Sequence, residues 1–162
     1  MNPDPTDTRA LRNALGRFAT GVAIVTAIDR DGNPVGLTVN SFSAVSLEPP
    51  LVLWCLDNGS HNLEAFRHAS HHAIHILAAD QQDLSNRFAT WPADRFAGLP
   101  WQRGIGGAPL LPGCCASFEV ANETAHLAGD HTVFIGRVER YTDNAQPAPL
   151  LFHAGRYARL AD

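Results

Sequence analysis

Apolar residues recur along this chain in short runs of strand length, separated by clusters of turn residues, and helical spacing is confined to a few stretches. Leu11, Leu15 and Phe18 fall at i, i+4 and i+7. They predict a helix over residues 8–19, with Thr6, Asp7 or Thr8 as its cap and Thr20-Gly21 as its end. Residues 22–28 are β-prone and almost wholly apolar, which predicts a strand covered on both faces or set in a barrel wall. Asp29-Arg30-Asp31-Gly32-Asn33 predicts a hairpin turn, and residues 34–42 the returning strand. Residues 51–56 and 72–77 predict two further strands. Residues 116–127 predict a long strand, joined through a tight 128–131 connection to a partner at 132–141. Short strands at 150–152 and 156–157 close the chain. Ser60 is placed to cap a helix over 62–68, and Leu84 and Phe88 mark another from Asp80 to about Thr90. Pro, Gly and aromatic residues predict an irregular excursion over 91–107, and two prolines predict disorder over 1–6.

At least six strands with hairpin connections and two or three helices predict a mainly β, α+β architecture. The expected form is an antiparallel β-barrel with helices packed outside it. A length of 162 residues predicts one domain over 1–162. The near-continuous apolarity of residues 22–28 and 51–56 predicts a cover of helices or of a second subunit, hence a homodimer.

Composition narrows the chemistry. A formal charge of −4 with no Lys/Arg run argues against nucleic acid or an anionic membrane as partner. No apolar run reaches membrane-spanning length, and residues 1–12 carry no secretory leader pattern. Cys55, Cys114 and Cys115 form an odd set without CxxC, which predicts buried reduced thiols and a cytoplasmic setting. His68, His71, His72 and His75 lack a carboxylate or cysteine at ligand spacing, so they predict a solvated strand entrance and no metal site. The chain has no G-x-S-x-G, no Walker loop and no Rossmann fingerprint; Gly104-Ile105-Gly106-Gly107 has the wrong spacing and context.

What remains is the run from Gly36 to the double proline Pro49-Pro50, rich in Thr38, Asn40, Ser41, Ser43 and Ser46. It offers hydroxyl, amide and backbone donors at the mouth of an apolar sheet, which suits a flat, polar, partly anionic ligand. Ser60 and Asn62 at a helix start offer an anion site. Gly129-Asp130-His131 sets a histidine at a strand start, where it can handle protons near neutral pH.

Several segments in order carry a resemblance: Phe18-Ala19-Thr20-Gly21-Val22, Thr38-Val39-Asn40-Ser41-Phe42 and Ser46-Leu47-Glu48-Pro49-Pro50. Further on come Leu84-Ser85-Asn86-Arg87-Phe88-Ala89, Asp94-Arg95-Phe96, Gly107-Ala108-Pro109-Leu110-Leu111, Gly129-Asp130-His131 and Gly155-Arg156-Tyr157. Over residues 9–160 the chain resembles the flavin reductase domain of two-component monooxygenases, a flavin-binding split β-barrel. The resemblance implies that Thr38, Val39, Asn40 and Ser41 hold the isoalloxazine and ribityl chain. It implies ribityl and phosphate contacts from Ala44, Val45, Ser46, Ser60 and Asn62, and a backbone contact from Phe88 and Ala89. His131 matches a catalytic histidine beside the nicotinamide, and Arg156 and Tyr157 match a segment near the pyridine nucleotide. Asn62 stands where many members carry Thr, and His75 where a strand Asn is common. The implied activity is hydride transfer from NADH or NADPH to N5 of FMN or FAD, with reduced flavin passed to a partner monooxygenase. Two competing readings are a tight flavoprotein passing electrons to its own substrate and a non-catalytic flavin-binding module.

Overall fold

A computed structural model describes residues 4–90 and 94–161. Residues 1–3 of the expected disordered terminus and 91–93 of the expected excursion lie outside them. The elements are α1 (Thr8–Leu15), β1 (Thr20–Gly21), β2 (Ala23–Ile28), β3 (Pro34–Val39), β4 (Ser43–Leu47), β5 (Pro50–Asp57), α2 (Leu63–His68) and β6 (His71–Ile76). Then follow α3 (Gln82–Ala89), β7 (Gln102–Arg103), a tight turn at Ile105–Gly107, β8 (Pro109–Leu110), β9 (Ala116–Ala128), β10 (His131–Asp143), β11 (Leu151–His153) and β12 (Arg156–Ala158). None of the described helices is long and apolar enough to cross a membrane.

Seven strands form one antiparallel sheet in the order β3-β2-β6-β9-β10-β5-β4. Its two edges, β3 and β4, are joined directly by residues 40–42 yet do not pair, so the barrel is split at that seam. A small sheet β1-β11-β12 lies beside it. The longest hairpin, β9–β10, turns at Gly129, whose φ of 63° is open to glycine at little cost.

Alternation decides where the core sits. On β2, Ala23, Val25 and Ala27 face the barrel interior with Trp54, Phe66 and Phe134. Ile24, on the other face, joins Val22, Leu77, Phe88, Phe96, Leu111 and Leu150 in a second core outside the barrel. The strand is therefore covered on both faces within one chain: of the two covers expected for residues 22–28, helices or a second subunit, α3 and the segments around it supply one here. Trp54 and Phe134 stack at 4.6 Å between ring centroids. Truncating such a ring to Ala costs about 3–5 kcal/mol.

Several expected boundaries move. α1 ends at Leu15 because Gly16 caps it, and Asp7 is the N-cap, accepting from the N–H groups of Arg9 and Ala10. The stretch over 43–47, expected as loop, is the edge strand β4, bulged between Ala44 and Ser46. Asn62, not Ser60, caps α2; the Ser60 hydroxyl instead accepts from the Asn62 N–H at 3.3 Å. α3 is shorter than expected, and the excursion holds β7 and the 105–107 turn. Residues 4–6 make a local turn, with the Thr6 N–H donating to Asp4.

Of the four histidines expected at a solvated strand entrance, His68 is exposed and His71 half-buried, whereas His72 and His75 are not solvated. His72 and His75 are buried, because each finds partners for both ring nitrogens. His72 Nε2–H donates to the Phe66 carbonyl at 2.9 Å and Nδ1 accepts from the Trp54 indole at 3.3 Å. His75 Nδ1–H donates to the Ile24 carbonyl at 3.1 Å and Nε2 accepts from the Leu111 N–H at 3.1 Å. These pairings fix opposite neutral tautomers, and burial pushes both imidazoles down to about 4.

Candidate functional site

β3, α3 and the 60–62 segment wall a cleft of about 350 Å³, lined by Leu37, Thr38, Ser60, His61, Asn62, Phe88, Ala89 and Arg95. Five residues expected at a cofactor, Thr38, Ser60, Asn62, Phe88 and Ala89, thus meet round one cavity although up to 51 positions separate them. Local chemistry brings them there. Thr38 Oγ1 donates to the Ser85 carbonyl at 2.7 Å, tying β3 to α3. Tyr157 joins the same knot, its hydroxyl 2.8 Å from Ser85 Oγ and donating to Asn86 Oδ1 at 3.1 Å. Gly36 lets α3 approach, since a Cβ there would sit 2.8 Å from the Phe88 ring. The Phe88 ring is buried against Phe96, so this residue offers a ligand only its backbone.

Arg95 supplies what the sequence expectation lacked. Its guanidinium donates to the Gly36 carbonyl at 2.5 Å and to the Thr90 carbonyl at 2.8 Å. These bonds hold a cation in the cleft wall without neutralising it. Asp94 spends its carboxylate on the N–H groups of Phe96 and Ala97 instead. Arg95 lies inside the Asp94-Arg95-Phe96 segment that carries the family resemblance, which was the available signal.

Asn40 and Arg156 line a second, larger cleft of about 650 Å³, walled by the end of α1, residues 15–20, and the β11–β12 turn. The two clefts share one strand end, with Thr38 in the first and Asn40 two positions on in the second.

The other expected residues line neither cleft. Val39 is a core side chain. Ser41 Oγ accepts from the Cys55 N–H at 2.9 Å and donates to its carbonyl at 3.1 Å, so it fastens the seam to β5. Ala44, Val45 and Ser46 lie on the edge strand β4. His131 opens β10 opposite Asp57, and its Nδ1 lies 2.7 Å from Asp130 Oδ1, a bond that holds the Asp130 carboxyl below its usual range. The Asn58 N–H donates to the Asp130 carbonyl at 2.9 Å, which docks this hairpin on the turn leading to Ser60.

Among the described residues no three His, Cys, Asp or Glu side chains converge as metal ligands. Cys55, Cys114 and Cys115 are free, and burial raises the Cys114 thiol to about 11.

Residues 15–161 match the family model described as a flavin reductase like domain. The chain belongs to this family. It is 46% identical over 159 residues to the FMN reductase (NADH) SmoA of Agrobacterium fabrum, covering 98% of this chain and 90% of that one. It is 42% identical over 151 residues to HsaB of Rhodococcus jostii, the reductase subunit of a flavin-dependent monooxygenase, covering 93% and 77%. Some relatives are longer, and the chain spans 46% and 48% of two of them. In three dimensions it is similar to the Streptomyces globisporus NADH:FAD oxidoreductase SgcE6 in complex with NAD and FAD fragments. There the TM-score is 0.93 at 36% identity, covering 99% of this chain and 97% of that one. The antiparallel barrel expected from the strand pattern, and the split form that the resemblance implied, are both present in the fold.

Proposed function

We infer that this flavin reductase oxidises NADH or NADPH and reduces FMN or FAD, which then leaves for a separate monooxygenase. The observation that carries the reading is the convergence of Thr38, Ser60, Asn62 and the Phe88-Ala89 backbone on one cleft with the cationic Arg95 in its wall. This donor set fits a flavin: a fixed cation and a hydroxyl suit a ribityl phosphate, and the apolar Leu37 borders the space for a ring. The bound flavin supplies the hydride acceptor and the nicotinamide the hydride. The chain's own part is to hold the two rings close and to place donors at the flavin edge where charge grows. Thr38 spends its proton on the Ser85 carbonyl, so toward a ligand its hydroxyl acts as an acceptor. The β3–β4 backbone at 38–41 supplies further donors.

His131 is assigned beside the nicotinamide, where its imidazole polarises the site without acting as a general acid. Its position next to the Asn58–Asp130 contact supports this, because that contact leads to Ser60 in the cleft wall.

The functional unit is a homodimer with the site near the interface. The support is the edge strand β4, where Val45 is 46% and Leu47 93% exposed, beside residues 44–46 that line neither cleft. A monomer by light scattering at micromolar concentration with flavin present would contradict the dimer. The free thiols support a cytoplasmic setting.

The function is tested by steady-state oxidation of NADH and NADPH by the purified protein with FMN, FAD or no flavin. Turnover that requires added flavin supports a reductase with exchangeable flavin. No turnover with any pair would overturn it.

A further inference from the structure

Thr132 breaks the pattern of its strand. On β10 the inward-facing row runs Thr132, Phe134, Gly136, and Phe134 stands in the barrel core. Valine has the shape of threonine and would fill that place with no polar atom to satisfy. Thr132 is fully buried all the same, at 0% exposure. Burying a hydroxyl costs stability unless its hydrogen bonds are replaced, and here they are. Its Oγ1 donates to Asn58 Oδ1 at 2.7 Å and accepts from Arg67 Nη2 at 3.1 Å. One buried oxygen therefore joins three elements: the start of β10, the turn after β5 and the last turn of α2.

Asn58 is spent on the same hairpin. Its N–H donates to the Asp130 carbonyl at 2.9 Å and its Nδ2 to the Gly129 carbonyl at 3.2 Å, while Oδ1 takes the Thr132 proton. The turn is also tied forward. The Gly59 N–H donates to Asp57 Oδ1 at 2.7 Å, the Ser60 N–H to the Asp57 carbonyl at 3.0 Å, and the Asn62 N–H to Ser60 Oγ. Bonds thus run without a break from the residue after His131 to Ser60 and Asn62 in the wall of the first cleft. The fold does not need this knot to join β10 to β5. Their ladder runs from His131–Asp57 to Arg137–Leu51 and sets the register by itself. It ends at Asp57, so residues 58–62 lie beyond it, and Thr132 and Asn58 are what fasten them to β10.

We propose that Thr132, acting through Asn58 and Arg67, is a positioning residue for hydride transfer. It sets the offset between the 58–62 segment, which holds the phosphate end of the flavin, and His131, which borders the nicotinamide. The proposal rests on the flavin reductase reading for both of those roles. Two rings that exchange a hydride must meet within a narrow range of distance, and a misplacement of about 1 Å costs on the order of 100-fold in rate. Burial strengthens both bonds of the Thr132 hydroxyl, so they define a position better than exposed side chains do.

Anaerobic single-turnover reduction of the flavin-loaded protein tests it, with the flavin and pyridine nucleotide that the wild type uses fastest. Thr132→Val keeps the shape and removes the hydroxyl, and Thr132→Ser keeps the hydroxyl. Thr26→Val is the control, since Thr26 is equally buried but donates to the Pro109 carbonyl at 2.6 Å, outside both clefts. Both valine variants should lose thermal stability. Thr132→Val should also lower the limiting reduction rate by about tenfold or more, with flavin affinity moved by less than about threefold. Thr132→Ser should return to within about threefold of the wild-type rate, and Thr26→Val should keep that rate. Asn58→Ala should be slowed as Thr132→Val is, and the double variant should be no slower than either, because the two side chains form one unit. An unchanged limiting rate in Thr132→Val, an equal loss in Thr26→Val, or a loss that Thr132→Ser does not restore would overturn the proposal. Where Thr132→Val does not fold, Asn58→Ala decides alone, and an unchanged rate there overturns it. A wild type whose flavin stays oxidised with both nucleotides would remove the reductase reading, and the proposal with it.

Discussion

The two clefts differ in how their polar groups are used. Round the first, most polar side chains are already bonded to the protein: Thr38 to Ser85, Ser60 to the Asn62 N–H, and Arg95 to Gly36 and Thr90, with Tyr157 behind the wall bonded to Ser85 and Asn86. Round the second, the backbone is fastened but the side chains of Arg12, Arg17 and Arg156 are unspent. A preorganised wall loses little on binding and fixes geometry, which a reaction between two stacked rings requires. Unspent exposed cations fix little geometry and instead create a local field that attracts anions.

The largest effect should come from the framework under the first cleft. Burial lowers His72 and His75 to about 4, well below the ordinary 6.5. The unfolded chain then binds more protons than the folded one between those values, so stability is full above about pH 6.5 and falls as pH drops toward 4. Each histidine accounts for a loss of about 3 kcal/mol across that window. Urea unfolding at pH 7 and at pH 4.5 should show a markedly lower midpoint in acid, and His75→Asn should flatten the dependence. An unchanged midpoint would deny that these staples hold the frame.

Arg95→Met comes next. It removes bonds to two carbonyls and the cation in the first wall. We expect a stability loss of about 2 kcal/mol and FMN binding weakened by roughly tenfold or more. Flavin fluorescence titration and thermal unfolding measure the two separately. A variant that loses stability yet binds FMN as before would make Arg95 only a brace.

His131→Ala should slow flavin reduction by roughly 10–100-fold with the fold intact, because it removes an electrostatic group from an open site rather than a sealed one. An unchanged rate and unchanged nucleotide affinity would leave residues 129–131 as a hairpin turn alone. The smallest effect is expected from Tyr157→Phe, which loses the hydroxyl between Ser85 and Asn86. A cost of about 1 kcal/mol in stability is expected, with a change in FMN affinity below fivefold. A large loss of NADH affinity without a stability change would move Tyr157 from the frame of the first cleft into contact with the nucleotide.

Much of the barrel was legible because strand periodicity is local. β2, β5, β9 and β10 follow from their apolar runs and from the Gly129-Asp130 turn. β4 was not, because Ser43, Ser46 and the two prolines after them look like loop chemistry. The strand exists because it pairs with β5, a contact no local pattern encodes. The burial of His72 and His75 was missed for the same reason. Their partners, Trp54, Ile24 and Leu111, come from three distant segments. In the first cleft, Thr38, Ser60, Asn62, Phe88 and Ala89 were legible through resemblance. Arg95 was passed over, since a lone arginine in a proline- and aromatic-rich stretch has no periodic signature. The second cleft was half legible: Asn40 and Arg156 were named, but nothing in the helical spacing singled out Arg12 and Arg17. The Gly16–Ala154 backbone bond joins the two distant segments, and through it Arg12 and Arg17 line the same cleft as Arg156.

The central claim is that this protein passes a hydride from a pyridine nucleotide to a flavin held at the first cleft. Anaerobic rapid mixing of the flavin-loaded protein with NADH and with NADPH, followed at the flavin absorption band near about 450 nm, tests it most directly. The account predicts bleaching with at least one nucleotide, saturating in its concentration and slowed when the transferred hydrogen is deuterium. Bound flavin that stays oxidised with both nucleotides would contradict it.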